Sequence, residues 1–217
     1  MNRETALSQL RAARLYGIID AGYAEPKEWP ELAVELAEGG AGILQVRAKD
    51  FSAREILNCA KPLFEIEALR EIPIIINDHP AVAAELGAAG CHVGQDDFSV
   101  EEARSQAGAD ALIGKSTHSL EQAEAAEEEG ADYIGVGPIF ATPTKPGRPA
   151  VGLSLIGEVR SRVRIPQFCI GGIKLNNLEE VVRAGAERVV IVSGLLNAED
   201  PREEARKVCE ILKKSKK

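Results

Sequence analysis

The chain has 217 residues, 45% of them apolar, with 26 Lys and Arg against 34 Asp and Glu and a formal net charge of -8. That is enough apolar material for one large domain or two small ones, and the acidic balance argues against general nucleic-acid binding, so an anionic ligand needs cations gathered locally. No stretch approaches the ~18 apolar residues of a membrane span, and "MNRETALSQLRAARLYG" lacks the apolar centre of a signal peptide, so a cytoplasmic protein is expected.

Short β-branched runs alternate with Ala/Leu/Glu-rich runs along the chain. The strand candidates are "RLYGIID" (14–20), "GILQVRA" (42–48), "IPIIIND" (72–78), "GCHVGQ" (90–95), "ALIGKS" (111–116), "DYIGVG" (132–137), "PQFCIGG" (166–172) and "RVVIVSG" (188–194). Helix candidates between them include "EWPELAVELAEGG", "SAREILNCAKPLFEIEALR", "HPAVAAELGAAG", "SLEQAEAAEEEG", "NLEEVVRAGA" and "DPREEARKVCEILKK". Ser119 and Gln122 have the spacing of a capping box, and Gly130 suits a helix stop. The beat predicts an α/β fold with a parallel sheet, as a single (β/α)8 TIM barrel over 1–217. A doubly wound open sheet is the alternative topology. The cysteines Cys59, Cys91, Cys169 and Cys209 lie scattered in apolar contexts without CxxC spacing, and read as reduced core residues.

In a barrel, chemistry gathers where strands end. In "ILQVRAKD", alternation places Gln45, Arg47 and Lys49 on one side, an amide and two cations suited to phosphate oxygens; the alternative is a salt-bridged strand end. Asn77 and Asp78 end the third strand and Asp97 follows the fourth, so Asp78 and Asp97 could converge on one Mg²⁺, with Asn77 on the ligand beside it. Taken singly, Asp97 or Ser99 reads as a helix cap. Lys115, Ser116, Thr117 and His118 follow the fifth strand, and His118 reads as structural or as supporting a neighbour.

After the last two strands, the glycines of "CIGGI" and "VIVSG" let backbone N–H groups approach an anion, although tight turns explain most Gly-Gly pairs. Between the two anion sites lies "VGPIFATPTKPGRPAVG", too rich in Pro and Gly for a regular element and carrying Thr142, Thr144 and Lys145. Residues 138–151 are expected to form a mobile active-site loop.

Together these motifs resemble the thiamine phosphate synthase family. The pattern Q-x-R-x-K, N-D, G-Q-[ED]-D, S-T-H, G-P-x-x-x-T-x-T-K, I-G-G-I and a closing V-S is matched in order from Gln45 to Ser193. The resemblance implies a (β/α)8 barrel that joins an aminopyrimidine diphosphate to a thiazole phosphate through a pyrimidine methyl cation, releasing pyrophosphate. It implies that Gln45, Arg47, Lys49, Asn77, Ser116 and Lys145 hold the pyrimidine diphosphate, with Arg47, Lys49, Ser116 and Lys145 acting in catalysis. It further implies that Asp78 and Asp97 bind Mg²⁺, and that Thr142, Thr144, Gly172, Val192 and Ser193 hold the thiazole phosphate.

Departures from the family pattern are few: Ala48 stands where Glu is common, Cys169 where Ala is common, and Gly194 where synthases more often have Ala. Two rival readings are a thiazole tautomerase-like isomerase, which carries a catalytic His where this chain has Pro138 and lacks the metal carboxylates, and a non-catalytic binder of thiamine precursors. The partners expected are small-molecule substrates, with no nucleic acid and no membrane; a homo-oligomer is left open.

Overall fold

The structure, a computed structural model, describes residues 1–142 and 149–214. Eight parallel strands close into a barrel in sequence order: β1 Leu15–Asp20, β2 Ile43–Arg47, β3 Ile74–Asn77, β4 Gly90–Val93, β5 Leu112–Thr117, β6 Tyr133–Val136, β7 Gln167–Cys169 and β8 Val189–Ile191. The closing contact pairs Leu15 with Val189, Tyr16 with Val190 and Gly17 with Ile191. Every predicted strand is present, and closure excludes the open doubly wound sheet.

Side-chain alternation divides the core into two layers. Leu44, Val46, Ile74, Ile76, Cys91, Val93, Ile113 and Ile134 face outward into a large apolar layer shared with the helices. Tyr16, Ile18, Ile43, Ile75, Leu112, Tyr133, Phe168 and Val190 fill the barrel. Within that filling, Tyr16 and Tyr133 both meet Phe168 edge-on, with ring centroids 5.4 and 5.8 Å away. Such aromatic pairs contribute roughly 0.5–1.5 kcal/mol each beyond the area they bury.

Helices also form outside the six quoted candidate segments. The first, α1 (Arg3–Ala12), precedes the barrel, with the Asn2 side chain accepting the Thr5 N–H at 2.8 Å as its N-cap. Its Ala6 and Leu10 pack into the inner layer, so α1 plugs the end of the barrel opposite the strand C-termini. Arg3 anchors it to Asp132 at 2.5 Å, a carboxylate that Arg104 also engages at 3.0 Å. The helices that follow are α2 (Trp29–Glu38), α3 (Ala53–Ala60), α4 (Pro80–Leu86), α5 (Val100–Ala107), α6 (Leu120–Glu128), α7 (Ser154–Arg162), α8 (Leu178–Arg183), α9 (Ser193–Leu196) and α10 (Pro201–Lys214).

The predicted long helix from Ser52 divides instead. After α3, residues Lys61–Glu65 and Glu67–Leu69 form two 3₁₀ turns, because Pro62 has no N–H for an α-helical bond and its ring crowds the preceding turn. The capping of α6 is half as expected. Ser119 accepts the Gln122 N–H at 3.3 Å, but the Gln122 side chain reaches one residue further back, to the His118 N–H at 2.8 Å. Gly130 lies just past the end of α6 at φ 82°, as a stop glycine should. The four thiols are free, with Cys91, Cys169 and Cys209 buried and Cys59 half-buried. Among the described residues, no helix is long and apolar enough to cross a membrane.

Candidate active site

The strand C-termini surround a pocket whose floor is the Tyr16, Tyr133 and Phe168 layer. Of the residues predicted from sequence, Gln45, Arg47, Asn77, Ser116, Thr142, Gly172, Val192 and Ser193 line it. Lys49, Asp78 and Asp97 lie beside it on the β2–β4 side and not on its wall. Thr144 and Lys145 fall outside the described residues.

On the β1–β2 side, Arg47 stands opposite Asp20 in register, and its guanidinium meets the Asp20 carboxylate at 2.5 Å. Asp20 is 3% exposed and also accepts the Gly22 N–H at 2.9 Å. The Arg47 fork is thus fixed by a buried carboxylate and is not a freely mobile charge. Lys49, half-exposed, pairs with Asp78. The reading of Arg47 and Lys49 as a salt-bridged strand end is therefore true of both side chains, and Arg47 still lines the pocket.

Asp78 leaves β3 in the left-handed region at φ 59°, a conformation that aspartate tolerates better than most residues. Its backbone N–H donates to the His92 carbonyl at 2.9 Å, and its carboxyl hydrogen-bonds that of Asp97. Burial pushes the Asp78 carboxyl up; Lys49 opposes this without cancelling it, and Asp97 adds to it. Burial also disfavours charge on Asp97. There, however, the Gly94 N–H, the bond from Asp78 and the charges of Lys49 and Lys115 outweigh it and hold the carboxyl low. The two carboxyls are thus pushed in opposite directions, Asp78 up and Asp97 down. Ser99, not Asp97, caps α5, in a full capping box with Glu102.

Two neighbouring carboxylates suit a hard cation, which would take over from Lys49 as the compensating charge. Among the described residues, no group of three or more His, Cys, Asp or Glu side chains could hold a metal. An Asp78 and Asp97 pair matches the usual Mg²⁺ arrangement, in which one or two carboxylates are completed by substrate phosphate oxygens and water.

On the opposite side, Gly171 and Gly172 have φ of 99° and 65°. A Cβ on Gly172 would come within 2.7 Å of the Phe140 Cβ and 2.9 Å of the Ala141 carbonyl, and one on Gly171 within 2.4 Å of the Pro138 Cβ. The glycine pair is thus required where the loop after β6 crosses the loop after β7, as well as where the backbone borders the pocket. Val192 precedes the single-turn helix α9, which starts at Ser193.

Several pocket residues escape the sequence reading. Tyr16, Asp20, His92, Tyr133 and Phe168 all line it. All but Asp20 lie inside strands, where a polar or aromatic side chain is not marked out by position as it is at a strand end. His92 carries a usable signal, since an imidazole inside a short buried strand needs polar partners. It has them: Ser116 Oγ at 3.0 Å from Nε2 and Tyr133 OH at 3.3 Å from Nδ1. Beside it, the Gln95 amide donates to the Ser116 carbonyl at 2.5 Å and so ties the β4 loop to β5. His118, read as structural, has both roles: its Nδ1 contacts the Gly137 carbonyl and its ring borders the pocket. Lys115 points away from the pocket, donating to the Phe98 carbonyl at 2.9 Å.

The family model described as thiamine monophosphate synthase matches residues 15–195, a span that runs from β1 through all the strands and pocket residues above. The chain belongs to this family. Thiamine-phosphate synthase of Thermus thermophilus is 45% identical over 175 residues, covering 80% of this chain and 84% of that one. The enzyme of that name from Shouchella clausii is 42% identical over 192 residues, covering 88% and 92%. Among solved structures, thiamine phosphate pyrophosphorylase from Pyrococcus furiosus superposes with a TM-score of 0.84 at 32% identity, covering 95% of this chain and 98% of that one. Family membership agrees with the closed eight-stranded barrel and with the resemblance carried by the strand-end motifs.

Proposed function

We propose that this transferase of thiamine biosynthesis joins an aminopyrimidine diphosphate to a thiazole phosphate at the barrel mouth, releasing pyrophosphate and forming thiamine phosphate. The observation that carries the reading is the division of the pocket. A cationic and carboxylate-bearing side formed by β2, β3 and β4 faces a glycine-rich backbone side after β7 and β8.

The pyrimidine diphosphate lies along Gln45, Arg47, Asn77 and Ser116, with Lys49 at its outer end, and Lys145 meets it from the loop after β6. Thr142, Thr144, Gly172, Val192 and Ser193 receive the thiazole phosphate. When bound at Asp78 and Asp97, Mg²⁺ supplies positive charge for the departing pyrophosphate. Arg47, held by Asp20, keeps its guanidinium in a fixed direction, a preorganised donor that costs no reorientation as charge builds on the leaving group. The pyrimidine cation left behind needs no protein nucleophile, only a thiazole nitrogen held in line and protection from water. The aromatic floor and the loop 138–151 provide that protection. Pro138 lies on the pocket wall where the tautomerase-like reading requires a histidine, which favours the synthase reading.

The test is to incubate the chain with both precursors and Mg²⁺ and to measure thiamine phosphate by mass together with released pyrophosphate. The two should form in equal amounts. Absence of thiamine phosphate with intact, folded protein contradicts the proposal.

A further inference from the structure

Five side chains form a continuous hydrogen-bonded chain across the barrel interior. The Gln45 amide nitrogen lies 2.8 Å from the Tyr16 hydroxyl, Tyr16 lies 3.0 Å from the Tyr133 hydroxyl, Tyr133 lies 3.3 Å from His92 Nδ1, and His92 Nε2 lies 3.0 Å from Ser116 Oγ. Gln45 is 2% exposed, and both tyrosines are buried. The contact is built for. Gly114 stands where a Cβ would lie 2.2 Å from Tyr133 Cζ and 2.5 Å from His92 Nδ1, so this position must be glycine for the phenol and imidazole to meet.

The proton inventory fixes a direction. An amide nitrogen only donates, so Tyr16 accepts from Gln45. Tyr16 has a single proton of its own, and Tyr133 is where it can be satisfied without leaving the interior; a buried hydroxyl that fails to donate is costly. Tyr133 accepts that proton and passes its own to His92 Nδ1. A neutral imidazole whose Nδ1 accepts carries its proton on Nε2, and that proton goes to Ser116 Oγ. The Ser116 hydroxyl, 9% exposed and on the pocket wall, then turns its own proton toward the ligand.

We propose that Gln45, Tyr16, Tyr133 and His92 form a one-way hydrogen-bond relay that holds His92 as its Nε2–H tautomer and so makes Ser116 an obligatory donor to the pyrimidine diphosphate. The last part rests on the function proposed above; the relay does not. A serine free to rotate would present a lone pair or a proton with similar ease, whereas this one presents a proton before the substrate arrives. A donor already aimed at an oxygen that gains charge as the bond to carbon breaks is stabilising without rearrangement. Tyr16, Tyr133 and His92 act as positioning residues through Ser116. The two phenols suit the task because burial pushes both well above their ordinary range, Tyr133 beside Tyr16 included, so they stay protonated wherever the enzyme works.

Nitrogen-15 spectra of the histidine-labelled full chain at pH 8, without substrates, read the tautomer directly, with the His92 signal assigned by its loss in His92→Gln. Wild type should show a protonated Nε2 and a bare Nδ1. A protonated Nδ1 would mean that the Gln45 amide is turned over and the chain runs backwards, which overturns the proposal. Tyr133→Phe keeps the ring and its packing and should leave His92 averaging between tautomers, and Tyr16→Phe should weaken the preference as well, because Tyr133 can then accept from His92 as readily as donate to it. Unchanged spectra in Tyr133→Phe would also overturn it. In turnover, Tyr133→Phe should lower kcat about tenfold in the wild-type background and less than about twofold in a Ser116→Ala background. Full additivity would show that Tyr133 does not act through Ser116. The spectra need no substrate, so failure of the relay is read separately from failure of the proposed reaction.

Discussion

Arg47 meets Asp20 at 2.5 Å directly across the β1–β2 ladder, and Asp20 is held in turn by the Gly22 N–H. The guanidinium is therefore oriented by a buried carboxylate before any anion arrives. Asp20→Ala should leave Arg47 charged but unplaced. Loss of a charge-assisted hydrogen bond is worth roughly 1.5–3 kcal/mol, so the pyrimidine diphosphate should bind about tenfold or more weakly. Asp20→Asn, which keeps an acceptor, should lose less. Titration calorimetry of the diphosphate checks this, and equal affinity in wild type and Asp20→Ala would show that the pair does not preorganise the site.

The two sides of the pocket should be separable. Arg47→Ala is expected to weaken the pyrimidine diphosphate at least tenfold while changing the thiazole phosphate little, and Ser193→Ala to do the reverse by a smaller factor, about the worth of one neutral hydrogen bond. Calorimetry with each ligand alone decides it. Parallel losses for both ligands would mean that the assignments of the two sides are wrong.

Burial and Asp97 push the Asp78 carboxyl up while the Gly94 N–H and nearby cations hold Asp97 low, a pair of carboxyls suited to a divalent cation. Asp97→Asn should leave the melting temperature near that of wild type and lower turnover at least a hundredfold, because one of the two carboxylates that would hold the cation is replaced by a neutral amide. Chelation with EDTA should abolish wild-type turnover, and added Mg²⁺ should restore it. Undiminished turnover in EDTA would remove the metal from the account.

All eight strands are legible because each is a short β-branched run, and the ends of those strands announce themselves by polar residues that a buried strand should avoid. Gln45, Arg47, Asn77, Ser116 and Ser193 stand out in that way. Tyr16, Tyr133 and Phe168 do not, since an aromatic in a strand has the same appearance whether it fills a core or floors a pocket. Asp20 looks like a plain strand terminus and its partner Arg47 like a free cation; which neighbour a strand end meets depends on register, which the sequence does not spell out. The α1 plug is hidden because it precedes the first strand of the repeat. The break after Ala60 is legible in principle, since Pro62 interrupts the helix.

The thiols offer a test of the core. Burial pushes both Cys91 and Cys169 up to about 12, against about 9 in an unfolded chain. The folded pKa is raised, so the stabilisation they carry is fully present below pH 9 and is lost as pH rises from 9 toward 12. Across that window the unfolded chain has released a proton that the folded chain keeps, which lowers stability by about 1.4 kcal/mol per pH unit for each thiol. Cys91→Ser and Cys169→Ala variants compared by urea denaturation at pH 8 and pH 10 should show a shallower pH dependence than wild type. At pH 8, Cys59 should be alkylated first in the native protein, and rapid modification of Cys91 or Cys169 would contradict their burial.

The central claim is that this barrel transfers a carbon centre and not a phosphoryl group. The most direct measurement uses the pyrimidine diphosphate carrying ¹⁸O in the oxygen that bridges the methylene carbon and phosphorus, turned over with the thiazole phosphate and Mg²⁺ and followed by mass. The account predicts that all of the label leaves in pyrophosphate while thiamine phosphate carries none. Label retained on a pyrimidine alcohol, with unlabelled pyrophosphate, would mean that the phosphorus bond had broken and would contradict it.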